Sequence, residues 1–271
     1  MELSGFLFEL LFSEASILKI LLGTVFGLCL GLTGVGGGVL LIPMLQFFCE
    51  MPPVLAVGTA SMISAMVKVN ASFFHLKANN VSWRQMALLF LGALPLTLLV
   101  TQCIVFLNEH PVHSEITQSL VSFLVLLVMF GSLVSVLIKY FSHRAGTNQA
   151  ECSKPKKSTA VLSGMFCGTV LGSTGVGGGV LLLPIFTNLL NVDIKKAVGS
   201  SVVVALLLSS VAAFGYAKGG QSDFDTALLF LIGSFAGVPI ASIFMSRLSE
   251  SSIYLITLVI IGISCGLYLF T

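Results

Sequence analysis

The residues best placed to do chemistry in this chain come as a duplicated set. The pattern Gly-x-Thr-Gly-Val-Gly-Gly-Gly occupies 31–38 and again 172–179, so Thr33, Gly34, Gly36, Gly37 and Gly38 have counterparts in Thr174, Gly175, Gly177, Gly178 and Gly179, 141 positions later. Each glycine weakens a helix by about 1 kcal/mol relative to alanine, and glycine tolerates positive φ at no steric cost. Four glycines in the six residues from Gly34, and again from Gly175, predict a broken helix in otherwise apolar helical sequence. A helix restarted beyond the break presents free N–H groups and the positive end of its dipole to whatever lies before it. The threonines add hydroxyl donors. That chemistry suits a small anion. Close packing through small residues, as in GxxxG interfaces, accounts well for Gly23, Gly27 and Gly31 and for Gly164, Gly168 and Gly172, but poorly for three glycines in a row. No Lys-Ser/Thr follows the glycines, so the motif is not a P-loop.

A second set lies on one helix face. Ser61, Ser64, Lys68, Ser72 and His75 follow spacings of 3, 4, 4 and 3, which share a face. An ionisable group deep in an apolar segment marks a functional site by default. Lys68 could neutralise a bound anion or titrate in a proton-coupled cycle. It could equally snorkel back to the interface along its own stem. Asn70 lies beside the stripe, within reach of a cavity, and His75 reads as a structural residue at the interface. In the second half Ser200, Ser201, Ser209 and Ser210 are polar, but no lysine aligns with Lys68. Gly58 and Gly199 would permit close packing or hinge motion beside these serines.

The elements that must position these groups are membrane helices. Hydrophobic residues make up 56% of the chain and charged residues 9%, against about 25% charged in a soluble domain. Long unbroken apolar blocks do not alternate as β-barrel strands do. Lipid satisfies no backbone polar group, so the spans are helical. The apolar segments run 16–32, 35–49, 54–76, 84–107 and 117–139, then 159–173, 176–190, 197–217, 225–246 and 252–270. Between 23 and 43, 14 of 21 positions are identical to their partners 141 residues on, which makes the chain a duplicated unit. The domains are therefore a first transmembrane repeat (1–139), a basic linker (140–158) and a second repeat (159–271). The paired short segments around each glycine motif form either two thin spans or a re-entrant pair. Phe6, Leu7, Leu10 and Leu11 precede the first span as a short interfacial helix, and the acidic start (Glu2, Glu9) is no cleaved signal.

Lysine and arginine positions favour one topology. With an odd number of crossings per half, Lys77, Arg84, Lys139, Arg144, Lys154, Lys156, Lys157, Lys195, Lys196 and Arg247 share one side, and only Lys19 and Lys218 lie on the other. If the first two segments of each half instead form one broken helix, the split is nine against three. Both options put the linker in the cytoplasm by the positive-inside rule. The odd count fits better, and it makes the halves inverted repeats, with both termini outside and the short glycine-broken helices meeting near the membrane midplane.

Other chemistry has little support. A net charge of +2 gives no reason to expect nucleic acid. The six cysteines form no CxxC pair or metal-ligand spacing. No nucleophile–base set is visible, so no enzyme, cofactor or metal centre is expected, and the segments carry too few carboxylates for a sodium site.

The paired GxTGVGGGxxLxP motifs (Gly31–Pro43 and Gly172–Pro184), each followed by an AVGTA- or AVGSS-type segment (Ala56–Ala60 and Ala197–Ser201), resemble those of the TauE/SafE family of membrane permeases. The resemblance covers nearly the whole chain. It implies an inner-membrane carrier for sulfur-containing anions such as sulfite, thiosulfate or organosulfonates, driven by an ion gradient with a proton or other ion as coupling partner, and without ATP. The expectation is thus an all-α polytopic membrane protein that carries small anions by alternating access. The glycine-motif helix ends with Thr33 and Thr174 would bind the anion, and Ser61, Ser64, Lys68, Ser200 and Ser201 would line its path. A passive anion channel and a non-transporting assembly factor are the rivals.

Overall fold

The structure is a computed structural model, and it describes residues 14–33, 37–145, 157–175, 178–245 and 250–269. Phe6, Leu7, Leu10 and Leu11 lie outside them, as do Gly34, Gly36 and Gly177. The elements of the first half are α1 (Glu14–Thr33), α2 (Gly37–Cys49), α3 (Pro53–Lys77), α4 (Trp83–Glu109) and α5 (Pro111–Ala145). Those of the second are α6 (Lys157–Thr174), α7 (Gly178–Pro184) running into a π-helical turn (Ile185–Leu189), α8 (Ile194–Lys218), α9 (Phe224–Met245) and α10 (Glu250–Leu269). Six of these helices are long and apolar enough to cross a membrane: α1, α3, α4, α5, α8 and α9. At about 1.5 Å per residue, the 13 residues of α2 fall short of a hydrocarbon core of about 30 Å.

Local sequence sets the boundaries. Pro53 opens α3, where its missing N–H costs no helical bond. Asp193 caps α8 by accepting from Lys195 N at 3.3 Å. Positive φ occurs at Glu50 and Asn191, and at Asn79 and Gly220, each pair separated by 141 positions. Pro43 lies inside α2 and does not end it, whereas Pro184 closes α7 and the backbone loosens into the π turn. The 140–158 stretch is not all linker, because α5 continues to Ala145 and α6 begins at Lys157.

The helices pair across the halves. The most extensive contacts join α1 to α9 and α4 to α6, followed by α3 with α8. A Cβ on Gly23 would meet Phe230 and one on Gly27 would meet Ser234, while Gly164 faces Leu89 and Gly168 faces Ala93. Leu89 and Phe230 are 141 apart, as are Ala93 and Ser234. The same contact therefore occurs twice with the halves exchanged, through the glycine stripes whose spacing predicts close packing. Both pairings are parallel in register. The central pair, α3 with α8, is antiparallel: Gly58 lies against Tyr216 and Gln221, Ser64 against Ser209, and Gly199 against Asn80.

One end of the bundle holds a short polar network. Lys19 Nζ donates to Thr226 Oγ1 at 2.7 Å, Thr226 Oγ1 donates to Asp223 Oδ2 at 2.6 Å, and Asp223 N donates to Thr59 Oγ1 at 3.0 Å. Phe48, Cys49 and Glu50 share a recess with Ala15, Leu18 and Lys19 at this end, so α2 returns to where α1 begins. The α1–α2 pair is a hairpin, not one broken helix running through. Val54 N donates to Gln118 Oε1 at 3.1 Å, so α5 starts here too and finishes at the opposite end.

Glycine at the central crossing is sterically required. A Cβ at Gly58 would lie 1.8 Å from the Gln221 carbonyl oxygen, and one at Gly199 would lie 1.9 Å from that of Asn80, whereas one at Gly262 meets nothing within 4 Å. Gly58→Ala and Gly199→Ala are expected to destabilise by at least the about 1–3 kcal/mol of overpacking. Gly262→Ala should be neutral or slightly stabilising. Thermal unfolding in detergent checks the contrast, and equal melting points for all three would refute the packing assignment.

Candidate functional site

The glycine motif breaks the helix as its composition predicts. In the second half α6 stops at Thr174, Gly175 adopts φ +63°, and α7 starts at Gly178, with Gly179 in its first turn. In the first half α1 ends at Thr33 and α2 starts at Gly37, followed by Gly38. The Gly175 N–H turns back to the Leu171 carbonyl at 2.8 Å. A Cβ on Gly175 would sit 2.6 Å from Ser61 Oγ and 2.7 Å from Val57 O, so this break lies against the central helix α3. Its level is one to two turns inside the start of α3, nearer the Lys19 end than the middle expected from sequence.

A helix that stops leaves its last carbonyls without intrahelical partners. Here two buried hydroxyls from other helices take one of them. Tyr216 of α8 donates to Gly172 O at 2.8 Å, and Thr101 of α4 donates to the same oxygen at 3.4 Å. One turn earlier, Thr97 reaches Gly168 O at 3.2 Å. Sequence reasoning missed these three. The available signal was Thr97 and Thr101 four apart in an apolar helix. Tyr216 gave none, since its counterpart 141 residues earlier is His75. Thr174 is 1% exposed and its hydroxyl donates to Val170 O at 2.7 Å.

The serine–lysine stripe forms a second locus between α3 and α8. Lys68 Nζ donates to Ser64 Oγ, and Ser64 Oγ stands 3.4 Å from Ser209 Oγ. Ser209 is the position equivalent to Lys68 in the second half. The ammonium is thus held one turn toward the middle of α3, away from the Lys77 end to which it would snorkel. Ser61 is fully buried and donates to Val57 O at 2.8 Å, and Ser72 is 1% exposed. Asn70 is exposed on the outer face, so it does not reach into the bundle.

Ser200 and Ser201 are placed elsewhere. Ser200 Oγ accepts from Ser82 N at 2.8 Å, the counterpart of the Thr59–Asp223 bond, and caps the start of α4. Ser201 donates to Val198 O at 2.8 Å within its own helix. Among the described residues, no three His, Cys, Asp or Glu side chains cluster as a metal ion would need.

The shared acceptor makes a coupled prediction. Tyr216→Phe or Thr101→Val alone leaves one donor on Gly172 O and should cost about 1 kcal/mol. The double variant strands the carbonyl and should cost more than the sum. A double-mutant cycle by thermal unfolding reads the coupling, and strict additivity would exclude a shared role.

The comparisons with known proteins agree with this architecture. The family described as sulfite exporter TauE/SafE matches residues 19–269. A probable membrane transporter protein of Bacillus subtilis, YjnA, is 28% identical over 253 residues, covering 92% of this chain and 98% of its own length. A probable membrane transporter protein of Haemophilus influenzae is 25% identical over 87% of this chain and 88% of its own. A third, from Methanocaldococcus jannaschii, is 25% identical over 87% and 83%. No solved structure matches at the same stringency. A glycine-broken, all-helical bundle with six apolar helices of spanning length, matched by this family over nearly its whole length, belongs to the sulfite exporter TauE/SafE family and is a multi-pass membrane transporter.

Proposed function

We propose that this transporter is a secondary carrier of small sulfur-containing anions, such as sulfite, thiosulfate or organosulfonates, across the cytoplasmic membrane. The observation that carries the reading is the helix break at Gly175 seated on Ser61, at the crossing of helices from both halves. Transporters built from repeats place substrate at the repeat interface, against discontinuous helices. The contacts that recur with the halves exchanged support inverted repeats. Rocking one repeat against the other would then open the site alternately to each side.

In this reading the anion's oxygens meet the N–H groups that open α2 and α7, at Gly37 and Gly178, with Thr33, Gly34, Gly36, Gly38, Thr174, Gly175, Gly177 and Gly179 completing the two cradles. Because α7 is only seven residues long, its dipole contributes less than that of α2. Ser61, Ser64 and Lys68 line the path between them. Ser200 and Ser201 hold α8 in place. The basic linker faces the cytoplasm, and a proton or other ion gradient supplies the driving force.

Proteoliposome uptake tests the proposal. A carrier shows saturable uptake and acceleration by anion on the opposite side. A passive channel with the same site shows no such exchange. Gly37→Ala and Gly178→Ala should lower uptake at least tenfold while the protein remains folded by its melting profile. Normal uptake in both would remove the glycine breaks from the site, and loss of folding alone would favour a structural role.

A further inference from the structure

The pairs α1–α9 and α6–α4 are one unit built twice. A Cβ on Gly31 would meet Val238 and Ala241, and one on Gly172 would meet Thr97 and Val100, the corresponding positions 141 residues earlier. The two units nevertheless sit differently on the central pair. Among the described residues, α4 packs on α8 more extensively than α9 does on α3, and α6 packs against α8 where α1 scarcely touches α3.

At the Lys19 end the packing is tight. A Cβ on Gly215 would lie 2.6 Å from Thr101 Cγ2, and one on Gly219 would lie 2.1 Å from Val105 Cγ1. Ala212 and Tyr216 are fully buried, and Tyr216 holds Gly172 O. The corresponding positions of α3, toward the Lys77 end, are Ala71, Phe74, His75 and Ala78. There Ala71 and Ala78 are exposed, Phe74 is 70% exposed and His75 is half-buried. Among the described residues no side-chain hydrogen bond joins His75 to Gly31 O, the counterpart of Gly172 O. Lipid exposure does not explain the difference, because Phe73 and its counterpart Phe214 are exposed alike, at 63% and 72%. The difference falls on the face that the paired unit covers in the second half.

We propose that this is the form of the protein open at the Lys77 end and shut at the Lys19 end, and that in the opposite form the α1–α9 unit swings onto the second half of α3, where His75 takes Gly31 O as Tyr216 takes Gly172 O here. The proposal rests on the carrier reading above and assigns His75 as a positioning residue within it. Inverted repeats move as rigid units against each other, and the structure holds one unit in each of the two positions. The last carbonyls of a stopped helix need a donor, and imidazole supplies an N–H in either protonation state. The first unit must seat differently from the second. It comes closer at α1, because imidazole is shorter than phenol, and stands farther off at α9, because Phe74 occupies the place of Gly215.

The experiment is labelling of Ala71→Cys by a membrane-impermeant thiol reagent, in vesicles of each orientation, using the full-length chain with its six native cysteines replaced. Ala71 is exposed, so the new side chain fits. Ala71→Cys should react from the Lys77 side about tenfold faster than Ala212→Cys reacts from the Lys19 side. His75→Tyr gives α3 the hydroxyl that α8 has and should slow labelling of Ala71→Cys about threefold, whereas His75→Phe, which differs from it by that hydroxyl alone, should not slow it. Tyr216→Phe should slow it too, by releasing the Lys19 end. A residue that merely supports α3 would not separate tyrosine from phenylalanine in this way. Ala71→Cys that reacts from neither side marks a lipid-covered face and overturns the proposal, as do equal rates for tyrosine and phenylalanine at 75. Sulfite uptake into proteoliposomes separates this from the underlying reading. Saturable uptake, with equal labelling in the two His75 variants, removes the closure and keeps the carrier. Labelling that follows the expected pattern, without saturable uptake of sulfite, thiosulfate or methanesulfonate, removes the carrier and keeps the closure.

Discussion

Two crossings where a glycine meets a backbone carbonyl from the other half set the geometry of everything else. Gly58 lies on the Gln221 carbonyl and Gly199 on that of Asn80, one near each end of the central antiparallel pair. Lipid is as apolar as leucine, so no hydrophobic gradient draws these helices together, and association relies on close van der Waals packing and interhelical hydrogen bonds. A Cβ at either crossing would force α3 and α8 apart. Ser64 and Ser209 would then separate, and Gly175 would lose its seat on Ser61. The parallel pairings of α1 with α9 and α4 with α6 extend the same principle outward through their glycine stripes.

Once the backbones are this close, polar groups inside the bundle have to be satisfied by neighbours. The bundle does so largely with hydroxyls. Thr59 and Ser200 cap incoming helices across the halves, and Tyr216 and Thr101 converge on a carbonyl stranded by the helix break. Hydroxyls suit this role because each can donate and accept with little bulk and no charge to bury. The break is therefore a reinforced feature, with its loose end tied to two other helices.

Much of this was legible in the sequence, for definite reasons. The duplicated motif fixed the helix break, because consecutive glycines disrupt a helix in almost any setting. Gly23, Gly27 and Gly31 announced a packing face by their period. The apolar blocks located the helices to within a few residues, apart from α5, which extends beyond its block at both ends (Pro111–Ala145), and the loosening of α7 after Pro184. Tertiary pairing was not legible. Nothing local to Ser200 distinguishes a path-lining hydroxyl from one that accepts the Ser82 N–H across the halves, and nothing around Tyr216 names Gly172 as its acceptor. Asn70 failed for the same reason, since a residue beside a polar stripe can face either way until its neighbours are known.

The two ends of the bundle are built alike but not charged alike. Lys19, bound to Thr226 beside Asp223, stitches α1 to the start of α9 at one end. The corresponding position at the other end is Ala160, and Ser82 and Gln85 replace Asp223 and Thr226. Identical inverted halves would make the two open forms of an alternating carrier equivalent by a twofold rotation and equal in energy. A lysine–hydroxyl–carboxylate chain present at one face and without a counterpart at the other would lift that degeneracy, giving such a carrier a preferred facing before any solute or gradient is applied.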